Sequence, residues 1–191
     1  MRNSNRLVCG IGIKGDKYPS WNGVEMLKEY SLWTNMLLRC TNKVLLKFPT
    51  YEGVTCSENF KSYTFFYEWC NQQKGFNEKD KNSRKWSLDK DLLIRGNKCY
   101  SEDVCVFVPN RVNNLVIKRN ASRGDWPIGV SLDKATSKYK ASCNNGSGTV
   151  KTIGMYSSVQ EAFRACKPYK ESAIHQVANE YTEQLASRVY Q

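Results

Sequence analysis

The chain has almost no histidine: His175 alone in 191 residues. A Ser-His-Asp or Cys-His site needs an imidazole beside the nucleophile and a third group to orient it. With one histidine and no G-x-S-x-G elbow, such hydrolytic chemistry has no footing. There is no G-x-x-x-x-G-K-[ST] loop either, which removes the P-loop class of nucleotide binding. Eight cysteines stand at positions 9, 40, 56, 70, 99, 105, 143 and 166, and no two of them make a C-x-x-C pair. Structural zinc sites are built on such close pairs, so the expectation is reduced thiols packed as small apolar side chains. No apolar run approaches the roughly 18 residues a membrane helix needs, and the mean hydropathy is -0.61. The first residues, "MRNSNRLVCGIGIKGDKY", are basic and lack the apolar stretch of a signal peptide. The expectation is a soluble, unexported, cytoplasmic protein with no membrane partner. Internal repeats and low-complexity tracts are missing as well.

What the chain has in excess is positive charge, +11 formally, with a pI near 9.3. The excess is spread out: +5 over residues 1–50, +2 over 51–100, +3 over 101–150 and +1 over 151–191. This is not a neutral domain with a basic tail. A basic globular chain of this kind most often meets a polyanion, since counterion release drives association with nucleic acid.

Residues 24–41 predict a helix, with Met26, Tyr30, Trp33, Met36 and Leu37 at steps of three and four. Residues 59–72 predict a second, with Phe60, Tyr63, Phe66 or Tyr67, and Cys70 on one side. Large aromatic side chains on both helices make residues 1–76 an expected helical N-terminal unit. Residues 74–85 are charged, lack periodicity and read as a solvated loop. From there "WSLDKDLLI" reads as a strand, Gly96-Asn97 as a turn, "CVFVP" as a second strand and "NRVNNLVIK" as a short helix. Then "PIGVSLD", "SKYKASC" and "TVKTIGMY" read as a three-stranded antiparallel sheet. Ser158 and Glu161 form an S-x-x-E capping box that opens a helix through Val159, Ala162, Phe163, Cys166 and Tyr169. Pro168 predicts a kink or break in it, with the periodicity carried on by Ala173, Ile174, Val177, Ala178 and Tyr181. The expected fold class is α+β, divided at 1–76, 77–118, 119–167 and 168–191.

Two stretches resemble known families. "WSLDKDLLIRGNKCYSEDVCVFVPNRVNNL", with "YSLWTNMLLRC" and "TYEGVTCSENFKSYTFFYEWC" upstream, resembles the HNH, or ββα-metal, nucleases found in phage genomes as homing-type endonucleases. "PIGVSLDKATSKYKASC" through "KTIGMYSSVQEAFRAC" resembles an AP2-type DNA-binding module, three strands packed on one helix. The resemblance implies a divalent metal, Mg²⁺ or Mn²⁺, bound by Asp89, with Asn113 or Asn114 completing the site from the following helix. It also implies that Asn97 steadies the loop between the strands. Oxygen donors of this kind suit a hard cation. The departure from the family is at the general base, usually a histidine beside the first metal ligand. Here the neighbours are Leu88 and Lys90. A lysine, with an ordinary pKa of about 10.4, is a poor base at neutral pH but a good phosphate clamp. Asp91 can serve as base or second ligand, and as the i+2 strand neighbour it is expected to share a face with Asp89.

Residues 111–140 hold seven basic groups, among them Arg111, Lys118, Arg119, Arg123, Lys138 and Lys140, against Asp125 and Asp133. Trp126 and Tyr139 interleave with them. In AP2-type modules the sheet lies in the major groove, where arginine and lysine read guanine edges. The expected function is metal-dependent cleavage of double-stranded DNA in a phage or mobile-element setting. The alternative is a nuclease-derived protein without activity that binds DNA, or a host transcription or defence protein, through the same surface. The oligomeric state is not legible in the sequence.

Overall fold

The computed structural model describes residues 6–116, 125–144 and 149–181. The chain folds as α+β and divides into two compact units, residues 1–108 and residues 109–183.

The first unit is built on aromatic side chains. Helix α1 (Lys28–Arg39) carries Glu29 in its first turn and Arg39 in its last, which suits the helix dipole, and it buries Trp33, Met36 and Leu37. The second predicted helix is two helices, α2 (Glu58–Lys61) and α3 (Tyr63–Gln72). The break falls at Ser62, whose hydroxyl accepts the Phe65 N–H, as Ser57 accepts that of Phe60. A side chain that caps one helix competes with the continuation of the other. Helix α3 buries Tyr63, Phe66, Trp69 and Cys70. Phe60 lies edge-on to Phe66 and Trp69, with centroids 5.1 and 4.8 Å away, and the Trp33 indole N–H donates to the Phe60 carbonyl at 2.8 Å.

Four short strands complete this unit: β1 (Thr55–Cys56), β2 (Ser87–Asp89), β3 (Cys99–Tyr100) and β4 (Val106–Val108). β2 and β4 pair antiparallel, Ser87 opposite Val108 and Asp89 opposite Val106. β4 is wholly buried, and its Phe107 packs 5.9 Å from Trp69 and 5.2 Å from Phe76 between ring centroids. That contact explains a correction. The boundary expected between residues 76 and 77 does not exist, because the second strand of the pair is part of the aromatic core of the helices. The division comes after Val108 instead, inside the segment read as one ββα motif.

The link between β2 and β4 also differs from the expected tight turn. β2 stops at Asp89 rather than running on to Ile94, and residues 90–105 form a long loop. Within it, β3 pairs in parallel with β1, Thr55 opposite Cys99 and Cys56 opposite Tyr100. Gly96 takes a left-handed φ of 82°, which only glycine adopts without strain.

In the second unit, helix α4 (Asn110–Val116) precedes the antiparallel sheet of β5 (Val130–Asp133), β6 (Lys138–Asn144) and β7 (Val150–Tyr156), in the order β5-β6-β7. Helix α5 (Val159–Asn179) packs on one face of it. The predicted capping box is formed, Ser158 accepting the Glu161 N–H and Glu161 accepting that of Ser158. Val130, Ala141, Ala162 and Cys166 form the core between sheet and helix. Gly129 enters β5 at φ +81°, where an added Cβ would stand 2.8 Å from both the Cys166 sulfur and the Ser142 carbonyl oxygen. Of the kink or break expected at Pro168, the break does not occur: α5 runs on through the proline, so the boundary expected at 167/168 is absent too. Pro168 and Arg164 are both exposed, so water can take the Arg164 carbonyl that the missing proline N–H leaves unbonded.

All eight cysteines are free. No helix among the described residues is long and apolar enough to cross a membrane.

Candidate functional site

The chemistry expected at the end of β2 gathers in the loop of the first unit. Asp89 closes the strand and turns its carboxylate along the chain. One oxygen accepts the backbone N–H groups of Asp91 at 2.9 Å and Leu92 at 2.7 Å. This is an Asx-type turn, and it accounts for the early end of β2. Asp91 is therefore past the strand, and the alternation argument that put it on the face of Asp89 does not apply. The two carboxylates are nonetheless neighbours. Burial first, and then the Asp91 charge, pushes the Asp89 pKa up, while the two backbone bonds pull the other way. A half-buried carboxylate beside a second one is a place where a cation is favourable.

Lys90 does not stand out as a phosphate clamp. Its side chain is 11% exposed, and its ammonium donates to the Asn97 carbonyl at 2.8 Å and reaches Asp91 at 3.4 Å. The Tyr100 ring, with its centroid 5.8 Å away, adds a cation–π contact. Asn97 holds the other end of the loop. Its amide donates to the Lys90 and Cys99 carbonyls, both at 2.7 Å, and its side-chain oxygen accepts the Cys99 N–H at 3.1 Å. These bonds join Lys90 to Cys99 across the loop. Glu102, which sequence reasoning passed over, fastens the same loop to α2 by accepting from Ser57 at 2.8 Å and Asn59 at 2.5 Å. A lone glutamate between two apolar segments carries no pattern that marks it as an anchor.

Asn113 and Asn114 stand on α4 in the second unit, the first half-buried and the second exposed. The guanidinium of their neighbour Arg111 pairs with Glu180 at 2.6 Å, tying α4 to α5. Sixty-nine residues separate that pair, so no local pattern announces it. Lys118, Arg119 and Arg123 lie outside the described residues.

The β5–β7 sheet has two unlike faces. Tyr139, Ala141 and Cys143 of β6 turn toward α5, and alternation sends Lys138 and Lys140 to the other face. The register sets Ser131 opposite Lys140 and Asp133 opposite Lys138, with Met155 on the far side of Lys140. Neither lysine has an ion pair among the described residues. The Asp133 carboxylate accepts the Ala135 and Thr136 N–H groups at 3.0 and 3.1 Å. These bonds, the one from Thr136 foremost, hold its pKa below the ordinary value. Trp126 does not join the lysines. It lies edge-on to Tyr139 at 5.2 Å, packed against the core on the α5 side. The expectation that it meets DNA is corrected by the strand alternation that turns Tyr139 inward.

Among the described residues, no group of three or more His, Cys, Asp or Glu side chains could hold a metal ion. A closed protein cage is thus missing there, while the Asp89–Asp91 pair offers carboxylate oxygens alone. Mg²⁺ commonly binds in that manner, through one or two carboxylates with water and phosphate oxygens completing the shell. Compared with known proteins, the chain matches no family model, no curated protein and no solved structure. The likeness to HNH nucleases and AP2 modules therefore rests on the quoted residues alone.

Proposed function

We propose that this chain binds duplex DNA through the face of the β5–β7 sheet turned away from α5, and that it cuts a DNA strand at the end of β2 with Mg²⁺ or Mn²⁺ held by Asp89 and Asp91. One observation carries the binding: Lys138 and Lys140 project side by side from a sheet face, and neither has an ion pair among the described residues to break before it meets phosphates. Burial first, and then the Asp91 charge, disfavours the Asp89 carboxylate, and a bound cation would offset both, which supports the metal. The ion would stabilise charge developing on the scissile phosphate. The chain's own residues supply position. Asn97 and Lys90 hold the loop that carries Asp91, and the Asx turn sets the direction of the Asp89 carboxylate.

The test is relaxation of supercoiled plasmid with Mg²⁺ or Mn²⁺, wild type beside Asp89→Ala. Cleavage is expected from the wild type only, with duplex affinity kept in the variant. Equal nicking by a clean preparation of Asp89→Ala removes Asp89 from the mechanism.

A second reading is a binding protein that no longer cuts, its partner being DNA or a host transcription or defence protein. The observation in its favour is that Lys90 is bonded to the Asn97 carbonyl and Asp89 to two backbone N–H groups. Both side chains already have structural work. Duplex binding by the wild type without nicking in either metal would establish it.

A further inference from the structure

A cation is drawn into the first unit without an anion among the described residues to meet it. Of the described arginines, Arg6, Arg84, Arg95 and Arg164 are exposed, while Arg39 and Arg111 are half-buried. Arg111 has Glu180. Arg39 has no carboxylate partner among the described residues. It donates to the Tyr100 hydroxyl at 3.1 Å and lies 5.4 Å from the centroid of the Tyr51 ring. Burial pushes the Tyr100 pKa up to about 12, so its phenol is neutral at physiological pH and cancels no charge. The carbonyl end of α1 offsets about half a charge at most. Withdrawing a guanidinium from water without a counterion is costly, and the cost falls if an anion comes from outside.

There is room for one. A cleft of about 140 Å³ opens beside Arg39. Asn35, Met36 and Arg39 of α1 line it on one side, and Trp86 and Ser87 at the start of β2 on the other. The guanidinium, the Asn35 amide and the Ser87 hydroxyl are donors, and no acidic side chain lines the cleft. The Met36 and Trp86 walls lower the local dielectric and strengthen such bonds. Three residues with donor groups lining one cleft suit an anion with several acceptor oxygens. Ser87 also shares its strand face with Asp89, roughly 6.6 Å further along.

We propose that this cleft binds a phosphate-class oxyanion through Arg39, Asn35 and Ser87. Its identity as a DNA backbone phosphate, next along the strand from the one at Asp89, rests on the DNA-binding reading.

Thermal unfolding of the full chain in sodium phosphate and in sodium chloride of equal ionic strength tests the cleft without DNA. Phosphate also stabilises proteins by exclusion from their surface, so the readout is wild type against variants. At about ten times its Kd, phosphate is expected to raise the wild-type Tm by roughly 3–6 °C beyond the rise in Arg39→Met. Asn35→Glu places a carboxylate one turn before Arg39, in the favourable acid-first i,i+4 order. It is expected to raise Tm in chloride and to lose the specific phosphate response. It alters an exposed side chain, so it carries the test alone if Arg39→Met does not fold. An equal phosphate response in the wild type and in either folded variant overturns the site. The second arm is titration of labelled duplex. Arg39→Met is expected to lower the log–log salt slope by about 0.9. A phosphate response with an unchanged slope would make the ligand a free phosphate and overturn its identity as DNA. A wild type that binds no duplex would end the DNA reading, leaving the cleft to be judged by the phosphate response.

Discussion

Replacing Lys138 and Lys140 together by alanine removes two cations from one sheet face and disturbs nothing in the core. Both side chains point away from α5, and neither is in an ion pair among the described residues. The Asp133 carboxylate, opposite Lys138, is held toward its own turn by the Ala135 and Thr136 N–H groups. Its charge offsets part of the attraction to DNA, so two phosphate contacts is an upper bound. Each contact contributes about 0.9 to the slope of log affinity against log salt, so the double variant should lose up to about 1.8. Between 50 and 200 mM salt, a roughly fourfold range, the wild type would lose about 12-fold more affinity than the variant. That ratio is equivalent to about 1.5 kcal/mol. Surface substitutions of this kind leave stability within about 0.5 kcal/mol, so a matched Tm shows that the loss is at the interface. The assay is fluorescence anisotropy of a labelled duplex at several salt concentrations. An unchanged slope in the double variant, or wild-type affinity that ignores salt, would refute the sheet as the DNA surface and favour a protein partner.

Further outcomes are expected at other sites. Asn97→Ala removes three side-chain hydrogen bonds from the 90–98 loop and should cost about 2–3 kcal/mol in urea unfolding, with faster proteolysis within that loop; an unaltered midpoint would show that the loop needs no staple. Gly129→Ala puts a Cβ 2.8 Å from the Ser142 carbonyl oxygen at a left-handed φ of +81° and should destabilise the protein by about 2–4 kcal/mol; a change under about 0.5 kcal/mol would contradict the close approach. At Asp89, burial and the Asp91 charge raise the folded-state pKa. Between the ordinary aspartate value, about 3.9, and that raised value, the folded state binds more protons than the unfolded, so stability falls as pH rises through the window. Asp89→Asn should therefore melt above the wild type at pH 7, lose that advantage toward about pH 4, and see it narrowed by Mg²⁺; a variant less stable at both pH values would refute the repulsion.

The sequence by itself determined the features that depend on a few neighbouring residues. The apolar spacing of Trp33, Met36 and Leu37 marks α1 to within a few residues of its observed Lys28–Arg39 span. The Ser158–Glu161 box marks the first turn of α5, and period-two alternation puts Lys138 and Lys140 on one face of β6. Each is a matter of backbone periodicity or of a side chain meeting its own backbone, so the pattern is complete within one or two turns of chain. Tertiary structure decided what depends on partners far along the chain. A two-residue strand such as β3 has no periodicity to read, and its pairing with β1 is set by which segment lies beside it. Phe107 joins the β2–β4 pair to the helices because Trp69 and Phe76 are there to receive it. Arg111 is taken by Glu180 and Trp126 by Tyr139, while Arg39 has a cleft and no carboxylate among the described residues. Two arginines thus end differently, one in an ion pair and one beside a cleft, and a tryptophan ends against a core. The choice turns on desolvation and packing, which depend on everything brought near and not on the residues next in line.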